Sequence, residues 1–239
     1  VMLQTMQQTA KYLCENIQGA VIAYTQSDEI SLVLIDYQSL EASAWFDYEV
    51  QKMCSIAAGM ATLAFNRFFG TNYREWREAN LPDSVGGADT KSDEAVMNLE
   101  KAYSRALEMG AVFDARVFNI PKEEVANCIF WRQLDASRNS VQMVGQTYFR
   151  QKELQNKSCT AIQDMLMTQK GINWNDFPAH QKRGSCCIKE EYSTEKETGH
   201  SSNTDADSTV RTRWRIDREI PIFKGENRQY IERLIEVED

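Results

Sequence analysis

Apolar residues recur at three- and four-residue spacing over positions 2–17, where Leu3, Met6, Ala10, Leu13 and Ile17 form one stripe, so the chain opens in a helix that Gly19 ends. The rhythm then changes. Residues 20–35 are two apolar runs joined by Gln26-Ser27-Asp28-Glu29, which predicts a buried β-hairpin with an acidic turn. After a loop over 36–43, Trp45-Phe46 leads into a helix over 50–69. In it Ile56, Met60, Leu63 and Ala64 repeat helically while Ala57, Ala58, Gly59 and Ala61 keep one face small. Residues 70–95, with Gly70, Asn72, Pro82, Gly86 and Gly87, read as a polar connection into a short helix over 94–107. Residues 111–120 predict a strand. Pro121, Glu123 and Glu124 then start a helix running towards Tyr148, with Val125, Ile129, Trp131 and Leu134 as its apolar side. The pattern continues with a helix over 161–169, a turn-rich loop over 171–178, strands over 185–189 and 213–223, and a helix over 227–237.

Helix, strand, strand, helix, strand, helix is most of a β-α-β-β-α-β unit without its first strand. With that strand placed before Val1, the expected fold is α+β: a ferredoxin-like palm, an antiparallel sheet backed by helices, with a C-terminal strand/helix extension. Residues 1–150 are assigned to the palm-like domain and 151–239 to the C-terminal part of the same unit. Residues 190–209 are assigned as a mobile acidic insert within it, poor in apolar anchors.

Composition narrows the function classes. At 42% hydrophobic and 26% charged, the 239 residues suit a soluble folded protein. No apolar run reaches the roughly 20 residues of a membrane span, and no signal-peptide zones open the chain, so a cytoplasmic protein without a membrane partner is expected. Six cysteines without C-x-x-C spacing and only two histidines argue for free buried thiols over a zinc site. The net charge of −8 excludes a generally basic nucleic-acid binder, but it is uneven: residues 190–207 carry six acids against one base, whereas 121–189 carry ten bases against six acids, room for a positive face.

The candidate chemistry starts at the hairpin turn. Asp28 and Glu29 sit at the end of a rigid sheet, either as a solvated turn or as carboxylates placed to hold a metal ion. Lys52, in the first turn of its helix, is either a surface lysine with its stem along the helix or an anion-binding one. Arg132, Gln133, Asp135, Arg138 and Asn139 make one side of their helix polar, either a solvated face or one that reads a nucleotide or RNA end. Asp114 and Arg116 suit a structural ion pair as well as a site.

Several strings in a fixed order carry a family likeness. Gln26-Ser27-Asp28-Glu29 after Ala23-Tyr24 is followed by Trp45-Phe46 with Lys52, Phe113-Asp114-Ala115-Arg116 and Trp131-Arg132-Gln133-Leu134-Asp135. Ile172-Asn173-Trp174-Asn175 and Lys182-Arg183-Gly184 complete the series. With these the chain resembles the tRNA(His) guanylyltransferase family. The resemblance implies a polymerase-like palm working in reverse: a 5′ phosphate of tRNA is activated by ATP or GTP, and the 3′-hydroxyl of an incoming GTP displaces the activating group with two Mg²⁺ ions. It implies Asp28 and Glu29 as catalytic and metal-binding, and Ser27, Lys52 and Asn139 as nucleotide-binding. Arg132, Asp135, Lys157, Lys182 and Arg183 are implied as contacts to nucleotide or tRNA, with Trp131 and Trp174 in the core. A homo-oligomer is implied too, tetrameric in the family. Ala136-Ser137-Arg138-Asn139-Ser140 replaces the eukaryotic histidine-and-asparagine string and resembles the bacterial, archaeal and phage branch, which favours templated 5′-end repair. The R-x-D-G-R strand of relatives is not in the chain. A fragment is therefore expected, weak in Mg²⁺-nucleotide binding and prone to associate through an open sheet. The competing classes are a palm-type nucleotide cyclase and a palm that binds tRNA without catalysis.

Overall fold

The computed structural model describes residues 1–39, 41–81, 90–194 and 209–236. Helix α1 (Met2–Asn16) precedes strands β1 (Ala20–Gln26) and β2 (Glu29–Leu34); α2 (Val50–Asn80), α3 (Thr90–Met109) and α4 (Val125–Tyr148) follow. Short helices α5 (Gln151–Leu154), α6 (Cys159–Lys170) and α7 (Ala179–Arg183) lead to β3 (Ser185–Thr194), β4 (Thr209–Asp217) and α8 (Gln229–Ile235). The fold is α+β. Its four strands form one antiparallel sheet in the order β2-β1-β3-β4. The C-terminal strands therefore complete the sheet instead of extending it: β3 pairs directly with β1, Thr25 opposite Ser185 and Ile22 opposite Ile188.

Alternation along the strands splits the core into two layers. Ile22, Tyr24, Cys186 and Ile188 face α4 and α8, where Ile129, Ala136, Ile231 and Ile235 are buried. Ala23 and Cys187 face α1 through Ala10 and Cys14, and α2 packs on α1. Each fully buried Ile or Leu contributes about 1.5–3 kcal/mol, so either layer alone would leave one sheet face unprotected. The six cysteines are free, with Cys14, Cys186 and Cys187 buried and Cys54, Cys128 and Cys159 partly so.

Six expectations need correction. Helix α2 runs through Gly70 to Asn80, because Phe65, Phe69 and Tyr73, spaced four apart, bury one continuous stripe against Met6 of α1. That burial outweighs the roughly 1 kcal/mol a mid-helix glycine costs. Within the expected connection, residues 82–89 lie outside the described residues.

Residues 111–120 are not a strand. Their start is tied to α2 side chains: Ala111 N–H donates to Asn66 Oδ1 (2.8 Å), Ala111 C=O accepts from Asn66 Nδ2 (2.9 Å), and Phe113 N–H donates to Thr62 Oγ1 (3.0 Å). These bonds stand where a neighbouring strand's backbone would, so alternation without a pairing edge yields no ladder.

Glu190–Thr194 belong to β3, paired with Arg213–Thr209, so the expected insert is strand at both ends; residues 195–208 lie outside the described residues. Likewise β4 stops at Asp217. The segment beyond it is buried as irregular chain through Ile220 and Phe223. Gln133, read as part of a polar face, is buried and clamps that segment: its Nε2 donates to Pro221 C=O and its Oε1 accepts Phe223 N–H, both 2.9 Å. Trp131, expected in the core, is 61% exposed.

Candidate functional site

The hairpin closes with Gln26 opposite Glu29, leaving Ser27 and Asp28 as its two-residue turn. Ser27 takes a left-handed φ of 49°. Thr25 Oγ1 donates to Glu29 C=O and Gln26 Nε2 donates to Glu29 Oε2, both 3.0 Å, which locks the strand ends and leaves the Asp28 carboxylate exposed at the tip. Glu29 leans towards α4. Arg132 Nη1 lies 3.6 Å from Glu29 Oε2, with both side chains about half exposed, so the pair orients groups more than it stabilises the fold.

One turn and two turns further along α4, Ala136 and Asn139, then Ser140 and Met143, face the turn across a cleft of about 230 Å³. Its third wall is the segment around α7, through Phe177, His180 and Lys182. Ser140 fastens that wall to α4: its Oγ accepts from Trp174 Nε1 (3.0 Å) and donates to Gln181 C=O (2.9 Å). Lys182 Nζ donates to Asn175 C=O and lies 5.6 Å from the Trp174 ring centre. Tyr24 ties the wall to the sheet by donating to Arg183 C=O (2.7 Å), and burial pushes its hydroxyl pKa well up, so it stays protonated. Gly184 makes the approach feasible. At φ 82° an added Cβ would sit 2.6 Å from Thr25 O and 2.8 Å from the Tyr24 hydroxyl.

Burial, followed by the Arg218 charge, lowers the His180 pKa, so its imidazole is neutral at pH 7. Its Nδ1 is buried without a hydrogen-bond partner among the described residues.

The structure thus lines one cleft with Ser27, Asn139 and Lys182, and sets Asp28 and the Glu29–Arg132 pair at the hairpin turn beside it. Asp135 sits on the same side of α4, paired with Arg138 at 3.7 Å. Arg183 is a clamp, its Nε donating to Ile220 C=O (2.9 Å). Lys52 is elsewhere: it begins α2 in the layer on the opposite sheet face, over the Phe46 ring at 4.5 Å. Its neighbour Ala57 packs with Ile17 and Leu34, at the end of the hairpin away from the turn. Lys157 is exposed beyond α5 and apart from the cleft residues. Asp114 and Arg116 form a surface pair at 3.5 Å. Gln26, Ser140 and His180 are not legible as site residues in the sequence, because no local spacing links positions 26, 140 and 180; of that wall only Lys182 and Arg183 are named as site residues, through the family resemblance.

Among the described residues no three His, Cys, Asp or Glu side chains converge as a metal cluster. Mg²⁺ needs less. It is held by one or two carboxylates plus substrate phosphates and water, and Asp28, exposed and without an ion-pair partner among the described residues, fits that donor set beside Glu29.

Comparison with known proteins shows the family. The profile of the tRNAHis guanylyltransferase family matches residues 1–121. A bacterial tRNA(His) guanylyltransferase-like protein solved in complex with ATP superposes with a TM-score of 0.71 at 36% identity, covering 99% of this chain and 80% of that one. Its structure in complex with GTP gives 0.66 and 34%, covering 98% and 78%. A probable tRNA(His) guanylyltransferase of Dictyostelium discoideum is 25% identical over 210 residues, 82% of this chain and 68% of that protein. A protein of Acanthamoeba polyphaga mimivirus is 26% identical over 186 residues, 70% of this chain, and the match spans 54%, about half, of that relative's length.

Proposed function

Because the chain belongs to the tRNAHis guanylyltransferase family, we propose that it is a palm-type nucleotidyltransferase that adds guanosine or another nucleotide to the 5′ end of tRNA, in the 3′-5′ direction, after ATP or GTP activates the 5′ phosphate. The observation that carries the reading is a cleft lined by Ser27, Asn139 and Lys182 beside an anchored turn that bears Asp28 and the Glu29–Arg132 pair. A displacement at phosphorus needs little covalent help from protein; it needs reactants held in line and charge balanced on the phosphoryl oxygens.

In this reading Ser27 and Asn139 donate to phosphate oxygens and fix the triphosphate. Lys182 and Arg132 supply positive charge where negative charge grows, and the apolar side of the cleft, Met143 with Phe177, takes the base and excludes water. Asp28, with Glu29, would hold Mg²⁺, which lowers the barrier by neutralising phosphate charge and activating the attacking hydroxyl. Glu29 is oriented by Gln26 and Arg132, so Asp28 is the primary ligand. Two such ions, assembly of several copies and a role for Lys52, Asp135 and Lys157 at the nucleotide or tRNA end belong to the same proposal. Strand β2 leaves one sheet edge without a partner among the described residues.

The test is incubation with Mg²⁺, ATP, GTP and 5′-phosphorylated tRNA. Labelled tRNA longer by one or more nucleotides supports the reading. Nucleotide cyclised without RNA, or tRNA bound and never extended under any nucleotide mixture, overturns it.

A further inference from the structure

Strand β4 carries Arg211, Arg213 and Arg215 at every second residue, so the three leave one sheet face while Thr212, Trp214 and Ile216 leave the other. The register says which face. Arg215 stands opposite Ile188, Arg213 opposite Glu190 and Arg211 opposite Tyr192, and Ile188 lies in the core under α4 and α8. The arginines therefore share the face on which Glu29 meets Arg132.

Their state is that of an incompletely used cation strip. Arg213 and Arg215 both meet the Glu190 carboxylate through Nε, and Arg215 also reaches Asp217 at 3.8 Å. The terminal nitrogens of Arg213 make no ion pair among the described residues, and its guanidinium lies 5.0 Å over the Tyr192 ring. Arg211 is exposed and has no ion-pair partner among the described residues. Two carboxylates, Glu190 and Asp217, meet Arg213 and Arg215, and Arg211 has no ion-pair partner among the described residues, which leaves one surplus positive charge on the strip in a chain of net charge −8.

We propose that this strip is a phosphate track: it grips the backbone of an RNA strand running away from the cleft, an inference that rests on the reading that the cleft receives an RNA 5′ end. Alternate residues of a strand are about 7 Å apart, a repeat commensurate with successive phosphates, and guanidinium forks are the side chains best suited to bind them. Ser185 opposite Thr25 places the start of β3 at the turn. From there Arg215, Arg213 and Arg211 stand about 10, 17 and 24 Å along the ribbon. A track of that reach holds a stem in register with the turn without reading its bases, as phosphate contacts position and do not specify.

The experiment measures binding of 5′-phosphorylated tRNA to the 239-residue chain across a salt series, with ATP binding and thermal unfolding recorded in parallel. Arg211→Gln, and the Arg211→Gln/Arg213→Gln pair, should each weaken tRNA binding, by about fivefold per arginine. The slope of log K against log salt should become shallower by about 0.7–0.9 per contact, with ATP affinity unchanged. Glu190→Gln moves the other way. Freeing two arginines should tighten tRNA binding and steepen the slope, an outcome no purely structural role for Glu190 produces. The track is overturned if these variants keep the parent's tRNA affinity and slope, as they would if the strip served a protein partner. It is also overturned if Glu190→Gln weakens binding, or if the parent chain binds no tRNA at low salt. Failure of nucleotide transfer with the salt response intact would instead overturn the catalytic reading and leave the track standing.

Discussion

Helices α2 and α4 lie on opposite sides of the same sheet, α2 packed on it through α1 and α4 directly, with similar buried stripes, Phe65, Phe69 and Tyr73 on the one and Ile129, Ala136 and Val141 on the other. What differs is what meets the rest of each helix. The side chains of α2 reach segments of its own layer: Asn66 and Thr62 to residues 111–113, Asn72 to Thr5 and Gln8 of α1. Those of α4 reach the hairpin turn, the α7 wall and the segment after β4, Arg132 to Glu29, Ser140 to Trp174 and Gln181, and Gln133 to Pro221. Two helices with comparable buried stripes thus differ in chemistry, because only one borders the hairpin turn and the wall around α7. A binding cleft arises at the edge where elements meet, not from the amphipathic element itself.

The comparison breaks most sharply at Asp28. Asp28→Ala should reduce Mg²⁺-dependent nucleotide transfer on the order of 10²–10³-fold or more, since a methyl cannot stabilise phosphoryl charge, while the unfolding midpoint stays put because the turn is exposed. Turnover unchanged at saturating Mg²⁺ would remove the carboxylate from the mechanism. Next in size is Gly184→Ala. A Cβ driven to 2.6 Å from Thr25 O at φ 82° should cost about 2–4 kcal/mol in chemical denaturation and loosen the α7 wall. Wild-type stability would mean that the wall does not depend on that close approach.

The two lysines sharpen the contrast between the faces. Lys182→Ala should raise the KM for ATP or GTP about tenfold, with kcat less affected, as expected for lost binding of a phosphate. If the nucleotide is confined to the α4 side, Lys52→Ala leaves that KM within about twofold. An equal effect of both would show that the nucleotide spans the sheet, as the family pattern implies for Lys52.

The smallest effect is a pH response. The hydrogen bond from Arg213, joined by that from Arg215, holds the Glu190 carboxyl below its ordinary value of 4.5. A carboxyl depressed in the folded state adds stability above its unfolded pKa and loses it as pH falls through the folded one. The melting-temperature gap between the parent and Glu190→Gln should therefore be small at pH 7 and close as the pH is taken below 4.5. A gap that widens in acid would assign the carboxylate a different partner.

Residues close in sequence were enough to settle much of this. The stripe of Leu3, Met6, Ala10 and Leu13 specified α1, the two apolar runs specified the hairpin and its acidic turn, and Pro121 with its acids marked the approach to α4. Those signals are legible because helix and strand periods are written in adjacent positions. The shared order of the strings from Gln26-Ser27-Asp28-Glu29 to Lys182-Arg183-Gly184 likewise carried the family likeness.

Tertiary structure alone decided the rest. Alternation could not tell residues 111–120, which find side chains of α2, from residues 209–217, which find β3, because a ladder requires a second edge. Gly70 broke the helical pattern locally, yet a stripe completed by α1 carried the helix through it. Nor could spacing reveal that Glu29 meets Arg132, that Lys52 is kept in the opposite layer, or that alternate arginines of β4 face the same side as the cleft. Each depends on the register between segments scores of residues apart, and that register is chosen by which faces the folded core can bury together.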